Sequence, residues 1–232
     1  EEDMPIENKM LTRSIESAQT SVESRNFQSR KSVLEYDDVM NKQREIIYGQ
    51  RRKVLMGEDI SDSVLDMARE CVALRCAQYC PGSLPVEEWD SEGLRNELGQ
   101  LTGFDCAKVL SGINDADTLA EAATKFALEA YASKEAALMQ GAAQLGVDVD
   151  MRELERVVLL RSVDELWMDH IDAMDQLRQG ISLQAIGQQD PVIAYRNAGF
   201  DMFDEMVQGI RERTVRNLYH IVISAKAPER KQ

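Results

Sequence analysis

The sequence predicts an all-α protein made of one very long helix, a small helical bundle and a long antiparallel helical hairpin. Three observations predict it. Leu, Ala, Met, Glu, Gln and Arg recur throughout, and these are good helix formers. Apolar residues return at spacings of three, four and seven, the period of one helix face. Runs of alternating β-branched residues are missing, apart from His220-Ile221-Val222-Ile223, which can finish a helix. With 232 residues, 44% hydrophobic and 29% charged, the chain can bury one good-sized core or two small ones and has a folded rather than a disordered composition.

The first element is one helix over residues 1–56. Asp3 can cap it and Pro5 fits its first turn. From Ile6 to Met56 there is no further proline and a single glycine, Gly49. Arg51-Arg52-Lys53 set positive charge against the negative end of the macrodipole, and Gly57 is a stop. Such a helix runs about 70 Å, too long for one small bundle to bury, so it should act as a spine for several neighbours. Its stripe is Leu11, Ile15, Ala18 and Val22, then Val33, Tyr36, Met40 and Ile47. The stripe breaks at Arg25-Asn26-Phe27-Gln28-Ser29-Arg30-Lys31, which reads either as a solvated stretch or as a polar crossing where another domain docks.

Residues 57–147 read as a small bundle. Ser61 can cap a helix that reaches about Tyr79 and stops at Pro81-Gly82. Short elements follow near Val86–Trp89 and Ser91–Leu101. Thr118-Leu119-Ala120-Glu121 has capping-box spacing and opens an Ala-rich helix ended by Gly146. Residues 148–225 read as the hairpin. Asp150 and Glu153 again have capping-box spacing, and Val157, Leu160, Val163, Trp167, Ile171, Met174 and Ile181 follow at helical spacing. After a turn over residues 182–189, Asp190-Pro191 restarts a helix as N-cap and first residue. The second arm carries Phe200, Phe203, Met206, Val207, Ile210 and Leu218. Two arms of about 45 Å joined by so short a link must lie antiparallel, with the tip projecting. Residues 226–232 read as the start of a linker, and both ends read as cuts in a longer chain.

The net charge of −14 is uneven. Residues 1–56 hold ten acids and ten bases, 57–147 hold 16 and six, and 148–232 hold 15 and 11. The acidic middle argues against nucleic acid as a main partner, because phosphate binding needs a basic face. Cys71, Cys76, Cys80 and Cys106 contain no C-x-x-C pair and read as reduced thiols on helices. Neither a Walker loop nor a G-x-G-x-x-G motif is present, so no cofactor is expected to bind this segment. Asp169, His170, Asp172 and Asp175 lack the E-x-x-H spacing of a di-metal bundle and read as a solvated or interface face. Trp167 reads as a core anchor that fixes the hairpin against the long helix. With His170 and His220 the only histidines, no catalytic triad can be assigned. No catalytic and no metal-ligating residue is predicted.

Three stretches carry a family resemblance. Val22-Glu23-Ser24-Arg25-Asn26-Phe27 with Arg30-Lys31, then Leu34-Glu35-Tyr36-Asp37-Asp38-Val39-Met40-Asn41-Lys42-Gln43-Arg44, resembles the long scaffold helix of the SecA preprotein translocase ATPase family. Asp164-Glu165-Leu166-Trp167-Met168-Asp169-His170 with Ala173-Met174-Asp175-Gln176-Leu177-Arg178-Gln179-Gly180-Ile181 resembles the first arm of that family's two-helix finger. Gln189-Asp190-Pro191, Tyr195 and Phe200-Asp201-Met202-Phe203 resemble the second arm. The middle region matches the family's helical wing by position and helicity.

The resemblance implies a segment of a bacterial motor that drives unfolded preproteins through the SecY channel, peripheral on the cytoplasmic face of the inner membrane. ATP and magnesium would be handled by domains of the parent protein outside this segment, and residues 1 to about 15 would end the second nucleotide-binding fold. The implied partners are the SecYEG channel, unfolded preproteins, and the parent's own motor and preprotein-binding domains. The finger tip would be Gln184, Ala185, Ile186, Gly187 and Gln188, with Ile186 where the family commonly carries Tyr. Docking to other domains would fall on Arg25, Asn26, Phe27, Arg30, Lys31 and Trp167. Surfaces that normally face the motor folds would promote self-association. The competing expectation is a stand-alone helical adaptor that binds partner proteins.

Overall fold

A computed structural model describes residues 9–184 and 190–222, without the side chains of 182–184. Among the described residues there are seven α-helices, one 3-10 turn and no strand. The fold is all-α. The helices are α1 (Lys9–Leu55), α2 (Ser61–Tyr79), α3 (Ser91–Thr102), α4 (Ala107–Leu110), α5 (Ala116–Leu145), α6 (Met151–Gln184) and α7 (Pro191–His220), with the 3-10 turn at Val86–Glu88. No helix among them is long and apolar enough to cross a membrane.

The ends of these helices follow local chemistry, with two corrections. Asp59, and not the hydroxyl of Ser61, opens α2: its carboxylate accepts the Ser61 backbone N–H at 2.9 Å. Asp115, three residues ahead of Thr118, caps α5, accepting the Thr118 backbone N–H at 2.8 Å and its hydroxyl at 2.6 Å. An aspartate before an already adequate Ser or Thr displaces it because a charged acceptor bonds backbone donors more strongly. Asp150 and Asp190 take the expected places, each accepting the N–H two residues on at 2.9 Å. Gly146 ends α5 at φ 65°. Asp3 and Pro5 lie outside the described residues, and the short helix α4 has no counterpart among the elements predicted.

The chain divides into two compact units. The first comprises residues 1–46 and 172–203. Its core is Met174, Ile181 and Tyr195, with Tyr36, Val39, Met40, Leu177, Ala194 and Met202 packed against it. Three helix segments therefore share one small apolar centre. The second unit comprises residues 47–171 and 204–232. Its core includes Val64, Val72, Leu94, Leu98, Leu101 and Leu218, all almost fully buried. Cys71, Cys76, Cys80 and Cys106 are buried free thiols in this unit.

Several expected core positions face outward. Leu11, Ile15 and Val22 are exposed, and every described residue of α1 before Lys31 is exposed as well. Val157 on α6 and Phe200 on α7 are exposed too. In the first turns of α6 the buried line runs through Met151, Glu155, Val158, Leu159 and Ser162, while Trp167, Met174 and Ile181 of the expected stripe are buried further along. A strict apolar count misses it because Glu155 and Ser162 are polar yet occupy the inward face.

Candidate functional site

The two arms of the hairpin carry the residues nearest the predicted tip. Gln184 is the last residue of α6; its side chain, and Ala185, Ile186, Gly187 and Gln188, lie outside the described residues. Below the tip, Ile181 on α6 and Val192 on α7 are buried. Tyr195 is 2% exposed and meets the edge of Tyr36, with ring centroids 4.8 Å apart and planes at 89°. Such edge contacts are favoured because one ring's positive rim faces the other's negative face. Arg178 donates to Asp175 at 2.8 Å and lies 3.9 Å from Asp37 of α1.

One polar contact sits within this apolar packing. Gln43 on α1 is buried and its Nε2 donates to the backbone carbonyl of Gly199 on α7 at 2.8 Å. Gly199 leaves room to its neighbours: a Cβ there would lie 2.7 Å from Met174 Cε and 3.7 Å from Val39 Cγ1. Sequence reasoning passed over both residues. The signal was present, since Gln43 falls between Met40 and Ile47 at the spacing of the stripe itself.

The other predicted positions fall in different units. Arg25, Asn26, Phe27, Arg30 and Lys31 belong to the first unit and are exposed, Phe27 at 70%. Lys31 pairs weakly with Glu35 at 3.9 Å. Trp167 belongs to the second unit and is buried. It stacks on His170 at 5.6 Å and meets Tyr48 of α1 edge-on at 6.3 Å. Its Nε1 finds no hydrogen-bond partner among the described residues. His170 is therefore not on a solvated face. It is 4% exposed, and burial pushes its pKa below the usual histidine value of 6.5. Asp169 points outward as expected.

Buried charge in the second unit ties helices together. Glu155 is fully buried and accepts the Tyr131 hydroxyl at 2.6 Å, while Arg152 Nη1 donates to both its oxygens at 2.8 and 3.0 Å. Arg152 also reaches Glu135 of α5 at 2.6 Å. Burial raises the Glu155 carboxyl above its ordinary range, and the Tyr131 and Arg152 donors partly offset that. Arg75 on α2 donates to Glu212 of α7 at 2.9 Å and to the Cys71 carbonyl at 3.0 Å.

The buried cysteines are poor candidates for covalent chemistry. Burial pushes the Cys71 and Cys76 thiols up to about 11, so they stay protonated and poorly nucleophilic at neutral pH. No cluster of His, Cys, Asp and Glu suited to a metal occurs among the described residues. The starts of five helices do not suit a nucleotide's phosphates. Asp59, Asp90, Asp115, Asp150 and Asp190 carboxylates already accept the N–H groups that open α2, α3, α5, α6 and α7, and they would repel an anion there. A mainly apolar cavity of about 310 Å³ in the second unit is lined by Ile47, Ile60, Leu160, Val163 and Ile210. The guanidinium groups of Arg51 and Arg211 border it and pair with Asp164 and Glu70.

Residues 5–222 match the SecA wing and scaffold domain family. The chain is 47% identical over 224 residues to the protein translocase subunit SecA of Pelotomaculum thermopropionicum, covering 95% of this chain and 24% of that protein. It is 49% identical over 232 residues to the protein translocase subunit SecA of Alkaliphilus oremlandii, covering 100% of this chain and 25% of that one. Against the protein translocase subunit SecA 1 of Clostridioides difficile the identity is 47% over 226 residues, with coverage of 96% and 24%. The chain thus spans about a quarter of the length of these curated relatives.

Proposed function

Since the chain belongs to the SecA wing and scaffold family, we propose that it is the scaffold, wing and finger segment of a motor that drives unfolded preproteins through the SecYEG channel. Residues 1–56 form the scaffold helix, 57–147 the wing, 148–225 the two-helix finger and 226–232 the start of a linker. ATP, with magnesium, is hydrolysed by other domains of the parent protein. The motor works from the cytoplasmic face of the inner membrane.

The observation that carries this reading is the pairing of family membership with a hairpin whose arms converge on Gln184 and Asp190. The tip residues Gln184, Ala185, Ile186, Gly187 and Gln188 contact the translocating chain. An unfolded substrate presents no fixed side-chain order, so a small apolar group among Gln and Gly can touch any sequence where a shaped pocket could not. Arg25, Asn26, Phe27, Arg30 and Lys31 dock the parent's motor and preprotein-binding domains. The exposed Phe27, with the uncovered stripe of Leu11, Ile15 and Val22, supports this. Trp167 braces the finger.

In the full-length protein, Ile186→Cys should crosslink to a preprotein arrested in the channel. A control cysteine elsewhere on the path that crosslinks while Ile186→Cys does not would overturn the tip assignment. The isolated chain should show no ATP-dependent thermal shift. Stoichiometric ATP binding to it would place the energy source here instead.

A further inference from the structure

We propose that Gln43 is a positioning residue that, together with Gly199, sets the axial register of the finger's second arm on the scaffold helix. The proposal rests on the reading of α6 and α7 as the substrate-contacting finger, and it adds how that finger is kept from slipping.

Most of the first unit's packing would tolerate a slip. Met174, Met40 and Met202 are flexible and refill gaps readily, and Leu177 and Ala194 make no directional bond. The Tyr36–Tyr195 edge contact adds a geometric preference between α1 and α7 but no hydrogen bond, and the rest of the seam can slide by one turn, about 5 Å, and bury a similar area. The Gln43–Gly199 contact cannot follow. Gln43 is 6% exposed, so its amide must find a partner inside the protein. It donates at 2.8 Å to the carbonyl of Gly199, a residue where a Cβ would press on Met174 and touch Val39. One turn along α7 in either direction stands Tyr195 or Phe203, whose side chains would fill the space that Gly199 leaves to Met174 and Val39. The observed register gives the amide this bond and avoids a clash at Gly199. A single buried polar residue fixing alignment at an apolar helix seam is a known physical device.

The consequence is mechanical. With register pinned, an axial displacement of α1 in this unit carries the second arm with it. Without the pin, part of the stroke is lost as sliding.

The test uses the full-length translocase subunit. Spin labels at exposed Glu45 on α1 and Arg196 on α7 report register as a distance distribution. Gln43→Met preserves length and volume but removes the donor. A second population displaced by about 5 Å is expected, or clear broadening, with the unfolding midpoint unchanged. ATP turnover should stay within about twofold, while preprotein moved per ATP falls at least threefold. A residue serving stability alone would lower the midpoint and both activities together. Gly199→Ala, which presses only on the flexible end of Met174, is the milder second variant should Gln43→Met fold poorly. A single unshifted distance in these variants overturns the proposal. A shifted register with normal coupling overturns it too, provided that Ile186→Asp at the tip still blocks translocation. If Ile186→Asp is also without effect, the finger reading itself fails.

Discussion

Individual side chains here are sorted by what they bond, more than by how apolar they are. Tyr131→Phe should cost about 1–3 kcal/mol in denaturant unfolding, because the buried Glu155 carboxylate loses a hydrogen-bond donor. Phe27→Ala should change stability by less than about 0.5 kcal/mol, since the ring is solvent-exposed, yet in the full-length protein it should weaken docking. The two substitutions separate a residue that holds the fold from one that we propose faces a partner. His170 supplies a pH signature. Its folded pKa lies below 6.5, so the fold holds the neutral ring. As pH falls below 6.5 the unfolded chain takes up a proton that the folded chain resists. Stability is therefore complete above that value and declines until the lowered folded pKa is passed. Thermal unfolding between pH 7 and 5 should show this decline. His170→Phe, which keeps a ring stacked on Trp167, should flatten it.

At the scale of helices, the ends are set by aspartates and the faces by a mixture of apolar and polar residues. Asp115→Ala should lower the unfolding midpoint of the second unit, and Asp115→Ser should restore most of the loss by keeping an acceptor for the Thr118 N–H. Thr118 shares the bond from its side chain as well, so the cap couples two residues. Met174→Ala should cost about 2–5 kcal/mol, measured by denaturant unfolding, because its side chain is almost fully buried at the centre of the first unit's core. Leu98→Ala, deep in the second unit, should cost a similar amount.

Over the whole molecule, a charge of −14 and an uncovered apolar stripe act in opposite directions. Charge repels copies of the chain, while Leu11, Ile15 and Val22 favour their association. Raising salt screens the first effect and leaves the second. Sedimentation should therefore show self-association that grows with ionic strength, and Ile15→Glu with Val22→Glu should abolish it. Association unaffected by those two changes would place the sticky surface elsewhere.

Except for the four-residue α4, helix existence, order and approximate length were readable along the chain, because α-helical period and terminal chemistry are local. Gly57, Gly146, Asp150 and Asp190-Pro191 marked their boundaries within a residue or two, and the motifs around Tyr36–Arg44 and Asp164–Ile181 carried the family. The inward faces were legible only in part. Leu11, Ile15, Val22, Val157 and Phe200 keep helical spacing yet stand exposed, while Gln43, Glu155, Ser162 and His170 are buried. Periodicity reports that a residue could be covered. Whether it is covered depends on a neighbour from a distant part of the chain, and whether a buried polar group is tolerated depends on a partner such as the Gly199 carbonyl or the Tyr131 hydroxyl. By itself, then, the sequence determined the helices and the family of this protein. Tertiary structure decided which sides of those helices meet, since that choice is made by long-range contacts and the satisfaction of buried polar atoms, neither of which leaves a local trace.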